Sequence, residues 1–562
     1  MILQSWRVTA AVAAVVLLLL STWATGGTRA AAPDMYWIFF RDKGFNGDAQ
    51  RQQALLAAQE RLLPRAVARR AKVFRDGLVV DDRDLPVCSD YIEATRRLGI
   101  QPRVASKWLN AVSAPLTHEQ VQIVGLLPFV ARVTSMARSY HDPEPAEYNL
   151  PTAVDDSAWY GQSWAQAATV NLPPVHDMGY HGTGAMVAVL DAGFNNLPHQ
   201  CFDSLHVIAT WDFVNGDSNV ANHGDIGDGS HGTKTLSVLA GYDPGHLVGP
   251  AWGCDVVLAK TENTEEEAPY EEDLWVAGLE WADSLGAEVI SSSLSYMDWY
   301  TYEDMDGNTA VTTIAADAAA SRGIAVFNSN GNIRSSEYEK MRAPADGDSV
   351  LGIGAVTSDS SRSYFSSYGP TYDGRIKPDL MAMGSGVTVA SPYAPDEYQT
   401  SSGTSFSCPM AAGIGAILME VNPMLTPGDL YRALRETASQ ASNPDTIFGW
   451  GIINALAAVD WVIAGVPEES RSNVPVTFRL SAPYPNPFNN SMRIQVIVGM
   501  PMPVSVEVYD VLGRRVAGLF EGQLSEGGHL ITWAPEGAAS GKYWIRVRSP
   551  QGYRIASAVR LR

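Results

Sequence analysis

Three short segments each carry a side chain suited to proton transfer or nucleophilic attack. VAVLDAGF closes an apolar run on Asp191 with a glycine two positions on. DGSHGTKTLSVLAG opens a helical pattern at His231 beside Gly232, and SSGTSFSCPMAAG places Ser405 where a glycine-containing turn enters an apolar helix. A serine hydroxyl is a weak nucleophile until a neutral imidazole takes its proton, and the imidazole needs a carboxylate to fix its tautomer and stabilise the imidazolium. A helix starting at Ser405 adds the positive end of its dipole where the hydroxyl attacks. Each residue also has a plain structural reading: Asp191 closing a turn, His231 a satisfied helix-start histidine, Ser405 an N-cap. HGT occurs a second time at His181, in the turn YHGTGAM, so order and context carry the assignment rather than the tripeptide. His223 reads as a loop residue, and Cys408 as a small core thiol.

The elements that must position these residues lie between 159 and 465. The β-branched runs AMVAVLD, LHVIATWDF, DVVLAK, AEVISSSL, GIAVFNSN and DSVLGIGAV alternate there with helical segments. Apolar strands separated by helices indicate an α/β domain whose parallel sheet is covered on both faces, with ligands at the carboxyl ends of the strands.

The chain has 562 residues, 46% of them apolar, and 40 Lys+Arg against 61 Asp+Glu give a net charge of −21. At roughly 100–200 residues per domain this is a modular protein. Its field repels phosphate backbones, which argues against a nucleic-acid partner. Residues 1–32 read as a secretory signal: Arg7, an apolar run from Ala10 to Leu20, then small residues. That run is shorter than the about 18 residues a membrane span wants, no later run approaches that length, and no transmembrane anchor is expected in the mature chain. Residues 33–140 alternate strand and helix like a split βαβ unit, an α+β fold of ferredoxin type, with Pro64 as a break and Thr117 as an N-cap. A polar, Pro-containing linker at 141–158 is the natural place to cut, and 466–475 is a second joint. From 476 to 562 the period changes to two, as in a small antiparallel β-sandwich of immunoglobulin-like type. With Cys88 in the removable region, Cys201, Cys254 and Cys408 allow at most one bridge, and no cysteine pair has zinc-ligand spacing.

Through LDAG at Asp191, SHGT at His231, NGN at Asn332 and GTSFSCP at Ser405, the chain resembles the subtilisin-like serine proteases. The order Asp, His, Ser is theirs, not that of α/β-hydrolases, and there is no G-x-S-x-G elbow. The resemblance implies a secreted serine endopeptidase that acts through an acyl-enzyme and needs no cofactor. Ser405 would be the nucleophile, His231 general base then acid, and Asp191 the orienting carboxylate. The Asn332 amide and the Ser405 N–H would donate to the oxyanion, a side-chain donor there being worth about 100- to 1000-fold. ISSSLS, with Ser293, Leu294 and Ser295, would pair with the substrate backbone and wall the first specificity pocket, with Gly331 also binding substrate. KPDLMA near Asp379 and GWGIINALAAV near Asn454 match later landmarks of structural character. Ala192 stands where relatives often carry Thr or Ser, and Ser295 where many carry Gly; the latter bears on the shape of the first pocket, and neither touches the proton relay.

The unit at 33–140 resembles the inhibitory propeptide of these proteases, which implies a self-processed zymogen with its own propeptide as inhibitor. The tail, with APYPNPFN, VEVYDVLGRRV and GKYWIRV, resembles the C-terminal sorting domains of bacterial proteins exported by the type IX route, implying the secretion machinery as a partner and a secreted or cell-surface location. An adhesive module is the competing reading of the tail, and a surface-displayed binding protein on a catalytically inactive subtilisin scaffold that of the whole chain. The acidic run from Glu262 to Asp273 is by default a solvated loop; the sharper reading is that Glu262, Glu265, Glu266 or Glu267 favours basic residues upstream of the scissile bond. Asp217, Asp225 and Asp228 could offer oxygens to a structural Ca²⁺, but match no loop motif.

Overall fold

The computed structural model describes residues 34–74, 77–136, 158–221, 229–263, 271–297, 300–333 and 339–465, and much of 478–561. The signal segment, most of the linker at 141–158, the joint at 466–475, His223, Asp225, Asp228 and Glu265 to Glu267 lie outside the described residues.

In the N-terminal region, strands β1 (Asp34–Phe40), β2 (Ala105–Ser106), β3 (Ala111–Leu116) and β4 (Val130–Ser135) form a sheet ordered β2-β3-β1-β4, antiparallel at every pairing. This is the expected split βαβ topology. The stretch PRVASKWLNAVSA contributes both β2 and β3, with Asn110 in the turn between them at φ 52°. Between β1 and β2 run α1 (Asp48–Glu60), α2 (Pro64–Arg70) and α3 (Ser89–Arg97). Pro64 occupies the first turn of α2, where its missing N–H costs nothing. Helix α4 (His118–Gly125) starts on Thr117, whose hydroxyl accepts the Gln120 N–H while the Gln120 side chain accepts the Thr117 N–H.

The central domain is built on β5 (Met186–Asp191), β6 (His206–Asp212), β7 (Asp255–Lys260), β8 (Val289–Ser292), β9 (Ala325–Ser329), β10 (Val350–Val356) and β11 (Leu380–Met383). They form one parallel sheet ordered β11-β10-β9-β8-β5-β7-β6. Six strands follow the expected runs. β11 starts in KPDLMA and ends at Met383, and its four residues are too few to show a period. Alternation along β5 divides the core. Val187 and Val189 join Leu236 of α5 (Ser230–Ala240) and Phe406 and Ile414 of α8 (Thr404–Val421). Met186, Ala188 and Leu190 face the other way, with Trp275 of α6 (Glu271–Leu285) and Ala315 of α7 (Val311–Ala320). Helix α8 is long and apolar enough to cross a membrane, but 89% of it is buried in this core. The apolar-run criterion passed over it because Thr404, Ser405 and Ser407 interrupt its start. Cys88, Cys201, Cys254 and Cys408 are all free thiols, so the one bridge the count allowed is not made.

The C-terminal unit, Pro467–Arg562, contains a three-stranded and a four-stranded antiparallel sheet around Phe488, Ile494, Val506, Trp533 and Ile545. The described strands of this unit include the short Phe478–Leu480 and the ten-residue Arg515–Leu524. In the phrase YPNPFN, the Asn486 side chain accepts the Val559 N–H at 2.7 Å and donates to Ser557 O at 3.1 Å, which ties the motif to the last strand.

Strand β1 is apolar at nearly every position because both of its faces are covered. Ile38 and Phe40 pack with Tyr91, Val112 and Phe129 of the small domain, whereas Trp37 and Phe39 join Trp275, Val276 and Leu279 of α6. Basic side chains surround this contact. Arg69 and Arg70, both fully buried, share the fully buried Asp283. Arg70 also pairs with Asp84 at 2.9 Å, and Arg322 of the central domain with Asp84 at 3.2 Å. Glu280 accepts from Ser106 Oγ at 2.6 Å and the Trp108 N–H at 3.0 Å. Burial alone would raise the Asp283 carboxyl, yet Arg69 and Arg70 hold it below the usual range. Asp283→Ala leaves two buried guanidiniums without their shared counter-charge, so an uncleaved Ser405→Ala precursor carrying it should lose about 3–5 kcal/mol in urea unfolding. A loss under about 1 kcal/mol would show the network to be dispensable.

Candidate active site

Asp191 is the last residue of β5, and the parity that sends Val187 and Val189 toward α5 sends Asp191 the same way. Its carboxylate is fully buried and is satisfied by three donors. His231 Nδ1 lies 2.7 Å from Oδ1, the Ala192 N–H donates to Oδ1 at 2.7 Å, and Thr235 Oγ1 donates to Oδ2 at 2.9 Å. The contact to Asp191 places the imidazole proton on Nδ1 and leaves Nε2 as the basic nitrogen.

His231 sits in the first turn of α5 because Gly232 lets that turn press against the loop leaving β5. A Cβ on Gly232 would meet Gly193 O at 2.3 Å. Ser405 is the second residue of α8, so its N–H is among those with no acceptor inside the helix. The next residue, Phe406, brings its ring centroid to 6.0 Å from that of His231. Ser405 Oγ is 3.4 Å from Ser293 O, and Ser293 Oγ donates to Ser405 O at 2.9 Å.

Asn332 follows β9. Its Oδ1 accepts both the Thr404 N–H and Thr404 Oγ1 at 3.0 Å. A backbone N–H can only donate, so this contact assigns the amide orientation and leaves Nδ2 as the donor side. Nδ2 would be 3.6 Å from a Cβ on Gly403. Ser293, Leu294, Ser295 and Gly331 occupy the two segments that leave β8 and β9, and Asn328 Nδ2 bridges them by donating to Leu294 O at 3.0 Å.

The remaining landmarks fall where local pattern placed them. His181 stacks on Trp252, and its turn N–H groups hold Glu420. Lys377 and Arg435 pair with the buried Asp379, and Asn454 caps the following helix. Burial pushes the Cys408 thiol up to about 12, so it is inert at neutral pH. Thr235 was not singled out from sequence, although its position four residues past His231 puts both on one helix face. The solvated reading of the acidic run fails for its described members: Glu262, Glu271, Glu272 and Asp273 are all buried. Glu271 accepts the Asn263 N–H, Glu272 the Tyr300 hydroxyl, and Asp273 the Ser113 hydroxyl of the small domain. Among the described residues no group of three or more His, Cys, Asp or Glu side chains converges on a metal position.

Gly232→Ala would force the Gly193 backbone and the His231 turn apart. It should cost about 1–3 kcal/mol of stability, visible as a lower Tm, together with a loss of turnover larger than the unfolded fraction explains.

A family model described as the Subtilase family matches residues 182–451, one described as the Peptidase S8 propeptide domain of Bacteroidota matches 35–149, and one described as a secretion system C-terminal sorting domain matches 482–558. Subtilisin DY of Bacillus licheniformis is 31% identical over 291 residues, 51% of this chain and 96% of its own. Subtilisin NAT of Bacillus subtilis subsp. natto is 29% identical over 355 residues, 63% of this chain and 81% of its own. A solved protease of Pseudoalteromonas arctica is similar at 23% identity and a TM-score of 0.43, over 54% of this chain and 99% of that one. A carboxylate, an imidazole and a serine held at the rim of one parallel sheet, together with near-complete coverage of a subtilisin at this identity, make the chain a member of the subtilase family of serine peptidases.

Proposed function

We propose that this secreted or cell-surface serine endopeptidase cuts protein substrates through Ser405, with His231 as general base, Asp191 as its orienting carboxylate and Asn332 as oxyanion donor. The observation that carries the reading is the 2.7 Å contact of His231 Nδ1 with the buried Asp191. It stabilises the imidazolium that forms when Nε2 takes the Ser405 proton. The long contact of Ser405 Oγ to Ser293 O is weak and is given up as substrate binds. The oxygen then attacks the scissile carbonyl carbon. The resulting oxyanion is met by Asn332 Nδ2 and the Ser405 N–H, and His231 passes its proton to the departing amine. Water, deprotonated by His231, releases the acyl group. As in other subtilisins, the chemistry needs no cofactor; calcium would at most be structural.

The substrate backbone is read as an added strand against Ser293, Leu294 and Ser295, with Gly331 across from them. Residues 1–32 are read as the signal, 33–140 as an inhibitory propeptide, 141–158 as the maturation region, 159–465 as the catalytic domain, 466–475 as a linker and 476–562 as the sorting domain. The secretion partner is read as the type IX machinery. Maturation is read as self-cleavage in 141–158.

Two measurements test these roles. Asn332→Ala should lower kcat by about 100- to 1000-fold with KM little changed; a change confined to KM would remove the oxyanion role. By mass spectrometry, Ser405→Ala should remain an unprocessed chain that a fluorophosphonate does not label; normal maturation of that variant would count against self-cleavage.

A further inference from the structure

The two oxygens of the Asp191 carboxylate are held by different elements. Oδ1 accepts the Ala192 N–H and faces His231 Nδ1, both at 2.7 Å, whereas Oδ2 accepts the Thr235 hydroxyl at 2.9 Å. Thr235 lies one turn beyond His231 on α5 and is only 1% exposed, so bulk water does not compete for its proton. A threonine inside a helix commonly returns its hydroxyl to a carbonyl of the preceding turn. Gly232 O stands there at 3.2 Å, but the hydroxyl has one proton to give, and the nearer, charged acceptor takes it. Position 192 has no hydroxyl to offer, because Ala192 brings only its N–H.

We infer that Thr235 is a positioning residue that sets the acid limit of catalysis, by holding the Asp191 carboxylate in line with His231 and drawing part of its charge away from the imidazole. The inference rests on the triad reading of Asp191, His231 and Ser405. His231 must be neutral to take the Ser405 proton, so activity falls as pH drops through the point where the imidazole protonates. A donor on the carboxylate stabilises its charge most when no imidazolium stands beside it. It therefore favours the neutral imidazole and moves that point to lower pH; taking the hydroxyl away moves it up. The hydroxyl also fixes the rotation of the carboxylate, whose terminal torsion is otherwise broad, and so keeps Oδ1 aimed at Nδ1. Other titratable groups flank the pair. Lys260 of β7 is the register partner of Asp191, and its buried ammonium is 3.2 Å from Asp212. Burial keeps the Cys408 thiol of α8 neutral, and Lys234 shares α5 with His231. A substitution at 235 leaves all of these side chains in place, so a moved limit reports the hydroxyl.

The test uses matured enzyme from the full chain and a peptide substrate without titrating groups. kcat and KM are measured from about pH 4.5 to about pH 9, each rate normalised to the enzyme that a fluorophosphonate labels at Ser405. In Thr235→Val, which keeps the shape and removes the hydroxyl, the midpoint of the acid limb of kcat/KM should rise by about 0.5 to 1 pH unit. Its plateau kcat should fall about three- to tenfold with KM changed less than about twofold. Thr235→Ser, which keeps the hydroxyl, should hold the wild-type midpoint. Should the valine variant not fold, Thr235→Ala read against Thr235→Ser decides. An unmoved midpoint in the hydroxyl-free variant, or a serine variant that shifts with it, would overturn the role of Thr235 and leave the peptidase assignment standing. No labelling of the wild type and no cleavage of any peptide would overturn both.

Discussion

A carboxylate taken out of water needs donors to replace the water it has lost, and Asp191 has three. The imidazole of His231, the Ala192 N–H and the Thr235 hydroxyl converge on it at 2.7 to 2.9 Å. Two of these donors come from the first turns of α5, so the helix start is tied to the end of β5 by the same contacts that orient the imidazole. The absence of a side chain at Gly232 lets the turn come close enough for this. The geometry of the site is thus a consequence of satisfying one charge that the sheet has taken out of water.

The small N-terminal domain applies a similar rule on the opposite face of the sheet. Helices α6 and α7 cover that face, and β1 and its neighbours cover the helices in turn. Asp273 and Asp283 on α6 are buried and Glu280 is half-buried, and each is met by a hydrogen bond or cation from the small domain. A parallel sheet depends on contacts between segments far apart in sequence, which makes it slow to assemble. In the folded chain the small domain supplies both aromatic surface and counter-charges to the covering helices. The C-terminal sandwich has its own core.

Much of the architecture was legible because it depends on short-range periodicity. Continuous apolar runs marked six of seven central strands, an N-cap threonine marked α4 at Thr117, and two-residue alternation marked the tail. The failures share a cause. β11 is too short to show a period, and α8 hides its length behind Thr404, Ser405 and Ser407. Glu262 to Asp273 look solvated because composition does not reveal what will cover them. The second HGT, at His181, shows that a tripeptide acquires chemistry only from the element beneath it; there it turns backbone N–H groups toward Glu420.

By itself the sequence determined that Asp191 ends a buried strand and that His231 and Ser405 each open a helix, since alternation and helix starts are properties of neighbouring residues. Only the tertiary structure decided that Thr235 would support Asp191 and that Arg69 and Arg70 would share Asp283. Those partners sit on different segments or turn on a particular packing distance. No local pattern records which charges will be buried together, because that is settled when whole layers close and water is expelled between them.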